Sequence, residues 1–175
     1  MAILLTILYS IAGLILLLLI IAAFVPKKYS VSRELVIARP RNEVYDYARM
    51  IRNQEKYSIW VMRDPNVKII YTGTDGTVGA KSSWTSNDKK VGVGEQEIMG
   101  LVDNEKIVTE VRFKVPFEST GLGETLLSDT SNGTRVEWRF SGLSKYPFNL
   151  MNLMMDGMLG KDILQNLENM KKNLE

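Results

Sequence analysis

With neither histidine nor cysteine among its 175 residues, the chain leaves acid–base work to its carboxylates, with tyrosine and lysine as minor groups. Strand alternation aims three glutamates alongside apolar neighbours. Glu95 and Glu97 share a face with Val91 and Val93, and Glu124 shares one with Leu122 and Leu126. In a cavity, such a carboxyl has a raised pKa and can serve as a general acid or base. On the solvated side of a sheet, where strand glutamates more often stand, it has no such role. Glu110 is a fourth carboxylate within reach of the same chemistry. The absent residue types exclude disulfides, thiolate and imidazole metal sites, thiol nucleophiles and any triad with a His base. No metal and no cofactor is expected. Gly92-x-Gly94 and Gly121-x-Gly123 open no helix, so they read as strand bends rather than phosphate loops.

Residues suited to holding an apolar molecule are more plentiful. Val136, Trp138 and Phe140 fall on one face of a strand, with Arg135, Glu137 and Arg139 on the other. By the same alternation Ile107, Thr109, Val111 and Phe113 point together, as do Val67, Ile69 and Tyr71. Most aliphatics here will simply fill a core. The large rings Trp60, Tyr71, Trp84, Phe113 and Trp138 are the candidate lining of a ligand cavity. Met151, Met154, Met155 and Met158 crowd one stretch of helix. Methionine is flexible and polarizable and suits surfaces that accommodate varied apolar partners. Met151, Met154 and Met158 therefore join the candidate ligand contacts, with ordinary core filling as the alternative. Gly157 and Gly160 beside them weaken that helix by about 1 kcal/mol each relative to alanine.

The elements that must position these groups divide in two. From Ala2 to Val25 the only polar side chains are Thr6, Tyr9 and Ser10, and Pro26, Lys27 and Lys28 follow. Twenty-four helical residues reach roughly 36 Å, enough to cross a hydrocarbon core of about 30 Å with some tilt. No cation precedes the apolar run and the run is long for a cleaved leader, so a retained single-pass anchor over 2–25 is expected. Lys27, Lys28 and Arg33 on its C-terminal flank place the following domain on the cytoplasmic side.

Residues 29–175 read as one α+β domain with no flexible stalk before it. A strand over 30–38 leads to a helix opening at Arg39-Pro40 and a second short helical piece over 53–60. Six strands follow at 67–73, 80–86, 91–101, 106–115, 120–128 and 134–142, separated by turn signals such as Asp103-Asn104 and Asn132-Gly133. Such short connections demand an antiparallel meander. From Pro147 to Leu174 the period returns to helical. Residues 146–160 carry one charge, Asp156, and are apolar nearly all round, so that half must be covered on more than one side.

The ordered pieces together bear a family resemblance. Ala38-Arg39-Pro40 with Glu43-Val44-Tyr45, Trp60, Asp64-Pro65, and Gly76-Thr77-Val78-Gly79-Ala80 with Trp84 run in the familiar order. They are followed by Val91 to Glu95, Val115-Pro116-Phe117, Gly133 to Trp138, and Gly160-Lys161-Asp162. The match resembles the polyketide cyclase/dehydrase-like (SRPBCC) branch of the START/Bet v 1-like superfamily over about residues 31–172, with Tyr57 where that branch often has tryptophan. The resemblance implies a helix-grip fold: a curved seven-stranded antiparallel sheet around a long C-terminal helix, with a cavity for hydrophobic molecules. It implies no particular reaction, because fold does not settle function.

Three functions compete on these grounds. A membrane-anchored, monomeric binding protein for a hydrophobic small molecule or lipid is favoured. A cyclase- or hydrolase-type enzyme needs one of the four glutamates inside the cavity. A non-catalytic interaction or stress module would have the cavity filled by its own side chains. A formal charge of +2 and no basic run interleaved with aromatics argue against nucleic acid. The ligand entrance is expected between residues 148–160 and the loops near Trp60 or 73–79, with Met154 and Met158 lining it.

Overall fold

A computed structural model describes residues 2–175. The apolar N-terminus forms one helix, α1 (Ala2–Phe24). Its Ser10 hydroxyl donates to the Thr6 carbonyl, so that polar side chain is satisfied within the helix. Over Ile3–Phe24 the mean hydropathy is 2.9, and no side chain of that stretch's most apolar window is buried by protein. A core helix would be covered.

After Pro26 the chain enters β1 (Lys28–Ile37), and Pro40 then sits one residue ahead of α2 (Arg41–Arg49), in extended rather than helical geometry. The second helical piece is split. A 3-10 turn at Ile51–Asn53 leads to α3 (Gln54–Tyr57), and after the extended Ser58 comes α4 (Ile59–Met62).

The meander has β2 (Lys68–Thr72), β3 (Lys81–Thr85), β4 (Val93–Val102), β5 (Lys106–Val115), β6 (Ser119–Thr130) and β7 (Gly133–Leu143). All pairings are antiparallel, in the order β1-β7-β6-β5-β4-β3-β2. The first strand thus returns to pair with the last, Lys28 against Leu143 and Ile37 against Thr134. Asn104 at φ 58° and Gly133 at φ 131° make the tight reversals that the two turn signals predict.

The closing helical stretch begins as a 3-10 turn, Phe148–Met151, and continues as α5 (Asn152–Leu174). Ile163, Leu167 and Met170 of its second half are fully buried against Val31, Ile37, Val136 and Leu127 of the sheet and Val44 and Tyr57 of the short helices. That half is the stable grip. A smaller cluster, Ile51, Ala80 and Ile98, closes the sheet end far from α1. The strand termini next to α1 are Lys28, Leu143, Ser119, Val115 and Val93; this is the α1 end of the sheet.

Candidate functional site

The sheet has two chemically distinct faces, fixed by the period-two alternation. The outer face carries the glutamates. Arg112 on β5 holds Glu95 at 2.8 Å and Glu97 at 2.6 Å and also pairs with Glu110. Lys114 and Lys81 complete the network at 3.1 and 3.0 Å. Lys114 and Arg112 hold the Glu95 carboxyl below its ordinary range, and Arg112 and Lys81 do the same for Glu97. Glu124 pairs with Lys106 and Arg139 on that same face. The expectation that Glu95, Glu97 or Glu124 enters the cavity is corrected: basic partners on the neighbouring strands hold them on the outer face, and the depressed pKa of Glu95 and Glu97 is the reverse of what a general acid needs. Glu110 is outside as well. Among the described residues no group of three metal-ligating side chains converges.

The inner face, toward α5, is aromatic and unusually rich in glycine opposite the rings. Trp84 lies across Gly94 and Phe140 across Gly121, so closely that a Cβ at either glycine would collide with the ring. Tyr29 covers Gly142 in the same way. Trp84 meets Phe113 edge-on at 5.9 Å, and Trp60 meets Trp138 at 5.9 Å. Tyr57 extends the second pair at 6.1 Å from Trp138. Trp60 donates its indole N–H to Asp162 at 2.9 Å and Trp84 to the Val91 carbonyl at 3.2 Å. Those two rings have spent their polar edges on the protein and offer carbon faces. Trp60, Trp84, Phe113, Trp138 and Phe140 are all only half-buried, although they face the helix.

Two polar groups sit among them. Tyr71 donates to Glu55 at 2.5 Å with the Arg52 guanidinium over its ring, and burial and Glu55 push its pKa well up, so it stays protonated. Gln96, opposite Ser82 and Val111, is 8 % exposed and its amide nitrogen has no hydrogen-bond partner. Sequence reasoning passed over Gln96 because an isolated glutamine carries no spacing signal.

The methionines of the long helix divide. Met155 turns to the core with Leu159. Met151, Met154 and Met158 are 48, 64 and 50 % exposed. Gly160 is the close-packed glycine: the Arg33 guanidinium passes under it to pair bidentately with Asp156 at 2.9 and 3.0 Å. Arg33, counted above as a flanking cation, is therefore held on the inner face.

The junction with α1 is built from amides. Asn149 donates to the Ala22 and Val25 carbonyls at 2.6 and 2.7 Å, and Asn152 to those of Pro26 and Lys27 at 2.8 and 3.1 Å. The Tyr146 hydroxyl reaches Leu19 O at 3.3 Å. The bond to Ala22 satisfies a carbonyl that a helix C-terminus otherwise leaves free, and those to Val25, Pro26 and Lys27 tie down the chain as it leaves the helix.

No protein-family model matches the chain, and no curated protein matches it. Solved structures do. The di-domain ARO/CYC StfQ of the steffimycin biosynthetic pathway aligns at TM-score 0.62 and 14 % identity over 84 % of this chain and 50 % of its own. Ara h 8.0201 aligns at 0.60 and 10 % over 84 and 97 %. Protein CV1439 from Chromobacterium violaceum aligns at 0.60 and 15 % over 83 and 96 %. This is the helix-grip fold. At such identities the likeness carries the architecture alone.

Hollows among the described residues include two open ones on the helix-grip domain. One of about 600 Å³ lies at the α1 end, lined by outer-face residues such as Ser30, Leu122 and Ser141; of the rings, only Tyr29 borders it. The other, about 490 Å³, lies between α4 and β2, with Val61, Met62 and Ile69 in its wall. The 73–79 loop lies at the opposite end of the sheet from residues 148–160 and cannot frame an opening with them.

Proposed function

We propose that the domain binds a hydrophobic small molecule or lipid on the inner face of its sheet, tethered to a membrane by α1. One observation carries the reading: Trp60, Trp84, Phe113 and Trp138 face α5, lie against glycines or one another, and still remain half-accessible. Rings with carbon faces exposed in a concave setting favour an apolar guest over water. The unpartnered Gln96 amide suits one hydrogen-bond acceptor on that guest, such as a carbonyl or hydroxyl. The asparagine junction supports a retained anchor over a cleaved leader, because the folded domain uses the last turn of α1. Lys27 and Lys28 favour the domain on the cytoplasmic side.

An enzymatic reading has no support of this kind, since the four glutamates stand on the other face. Purification of the full chain in mild detergent, followed by native mass spectrometry and solvent extraction, tests the binding reading. A co-purifying apolar molecule, or uptake of an added one at one per chain, is expected. A domain that is always empty and takes up nothing would overturn it.

A further inference from the structure

We infer that the 3-10 turn Phe148–Met151 and the first turns of α5 are embedded in the headgroup layer of the bilayer that α1 crosses. The inference rests on the reading of α1 as a membrane span and adds a second, in-plane contact with lipid. Its basis is depth. Tyr146 hydrogen-bonds the carbonyl of Leu19, six residues before Val25, which is roughly 9 Å down the helix axis. Asn149, fully buried, grips Ala22 and Val25 from the same turn. The turn is therefore fixed beside the last turns of the span, at the level of the lipid interface rather than above it.

What the turn exposes fits that level. Phe148 is 69 %, Leu153 66 % and Met154 64 % exposed, and they form an apolar surface continuous with α1. Tyr146 belongs among them as an interfacial aromatic. The one charge nearby, Asp156, is neutralised by Arg33. The surrounding rim is basic on balance: Lys27, Lys28, Lys145 and, from the loops at the same end of the sheet, Lys89 and Lys90 are exposed, against Asp88 and Glu118. The opposite end carries Asp103, Glu105 and Asp129. An apolar strip ringed by lysines matches an anionic leaflet. The exposed methionines find their cover in lipid, and the half of α5 over the aromatic face becomes the half in contact with the membrane.

The cysteine-free chain allows direct depth measurement. Phe148→Cys, Met154→Cys, Leu14→Cys and Asn132→Cys would each be labelled with an environment-sensitive fluorophore, in the full chain in nanodiscs of mixed zwitterionic and anionic lipid. Quenching would be read with nitroxides shallow and deep on the acyl chain and with aqueous iodide. The inference expects strong shallow-nitroxide quenching at 148 and 154, deep-nitroxide quenching at 14, and iodide quenching alone at 132 in the far hairpin. Iodide quenching alone at 148 and 154, with 14 still deep, overturns this inference and leaves the anchor intact. Labels at 148 and 154 shielded from every quencher mean a protein partner or second copy, and also overturn it. A label at 14 that no lipid nitroxide reaches removes the anchor itself.

Discussion

Asn149 donates to the carbonyl of Ala22 at 2.6 Å, and through that bond a domain side chain caps a helix that the domain otherwise scarcely touches. Both partners are buried, Asn149 at 1 % and Ala22 at 1 % exposure. Asn149→Ala leaves two carbonyls, of Ala22 and Val25, without this donor. Loss of a buried hydrogen bond costs about 1–3 kcal/mol. Thermal unfolding of the full chain in micelles should show a lowered Tm, and limited proteolysis should cut near Pro26 faster than in the parent. An unchanged cleavage rate would mean that the junction holds by other contacts.

The two glycines of α5 should respond oppositely to alanine. A Cβ at Gly157 meets nothing within 4 Å, so Gly157→Ala should stabilise by about 1 kcal/mol through helix propensity. A Cβ at Gly160 would displace the Arg33 guanidinium and break its pairing with Asp156. Gly160→Ala should give no gain or a loss. Parallel thermal melts of the two variants check the sign of each.

The outer-face ion network sets an acid limit. Glu95 and Glu97 titrate below the ordinary 4.5 when folded, drawn down by Lys114, Arg112 and Lys81. A carboxyl with a depressed folded-state pKa stabilises fully above its unfolded value and loses that contribution as pH falls through the folded one. The network should therefore stabilise at neutral pH and fade as pH falls below about 4.5. Arg112→Gln should have a lower Tm than the parent at neutral pH, with the gap closing in acid. These groups are solvent-exposed, so the gap should be small and should shrink in high salt.

Most of the architecture was legible because it rests on periodicity. The six meander strands fall within two residues of where alternation and turn residues place them, and β5 matches end for end. The helix start blurred, because residues 147–151 are apolar apart from Asn149 and a 3-10 turn has no distinct hydrophobic period. Alternation also told which residues share a strand face, but not which face looks inward. Glu95 could be placed only when Arg112 and Lys81 appeared beside it from neighbouring strands. The methionines could not be sorted for a related reason. On a helix apolar all round, sequence cannot separate the side packed on the core, where Met155 lies, from the exposed side, where Met154 lies. The glycines under Trp84 and Phe140 were read as bends; their second use, making room for rings from the next strand, depends on cross-strand register.

Gln96 separates stability from binding. Its amide is buried without a partner, so Gln96→Leu should leave the empty protein as stable or more stable, as removal of an unsatisfied polar group does. The same change should weaken retention of a guest carrying a carbonyl or hydroxyl, and should spare a pure hydrocarbon. Melts and competitive displacement of a bound apolar dye measure the two effects on one sample.

The chain has three tryptophans, Trp60, Trp84 and Trp138, and all three belong to the inner face beneath or beside α5. Intrinsic fluorescence therefore reports the proposed site and little else. Titration of the full chain with a brominated fatty acid, below the level at which the micelles themselves fill, is the direct test. Saturable quenching to one ligand per chain is predicted, reversed by an unbrominated competitor and abolished in Val111→Phe, which fills the floor between Gln96 and Gly121. Quenching that rises linearly without saturation, and equally in Val111→Phe, would contradict a ligand site on the inner face.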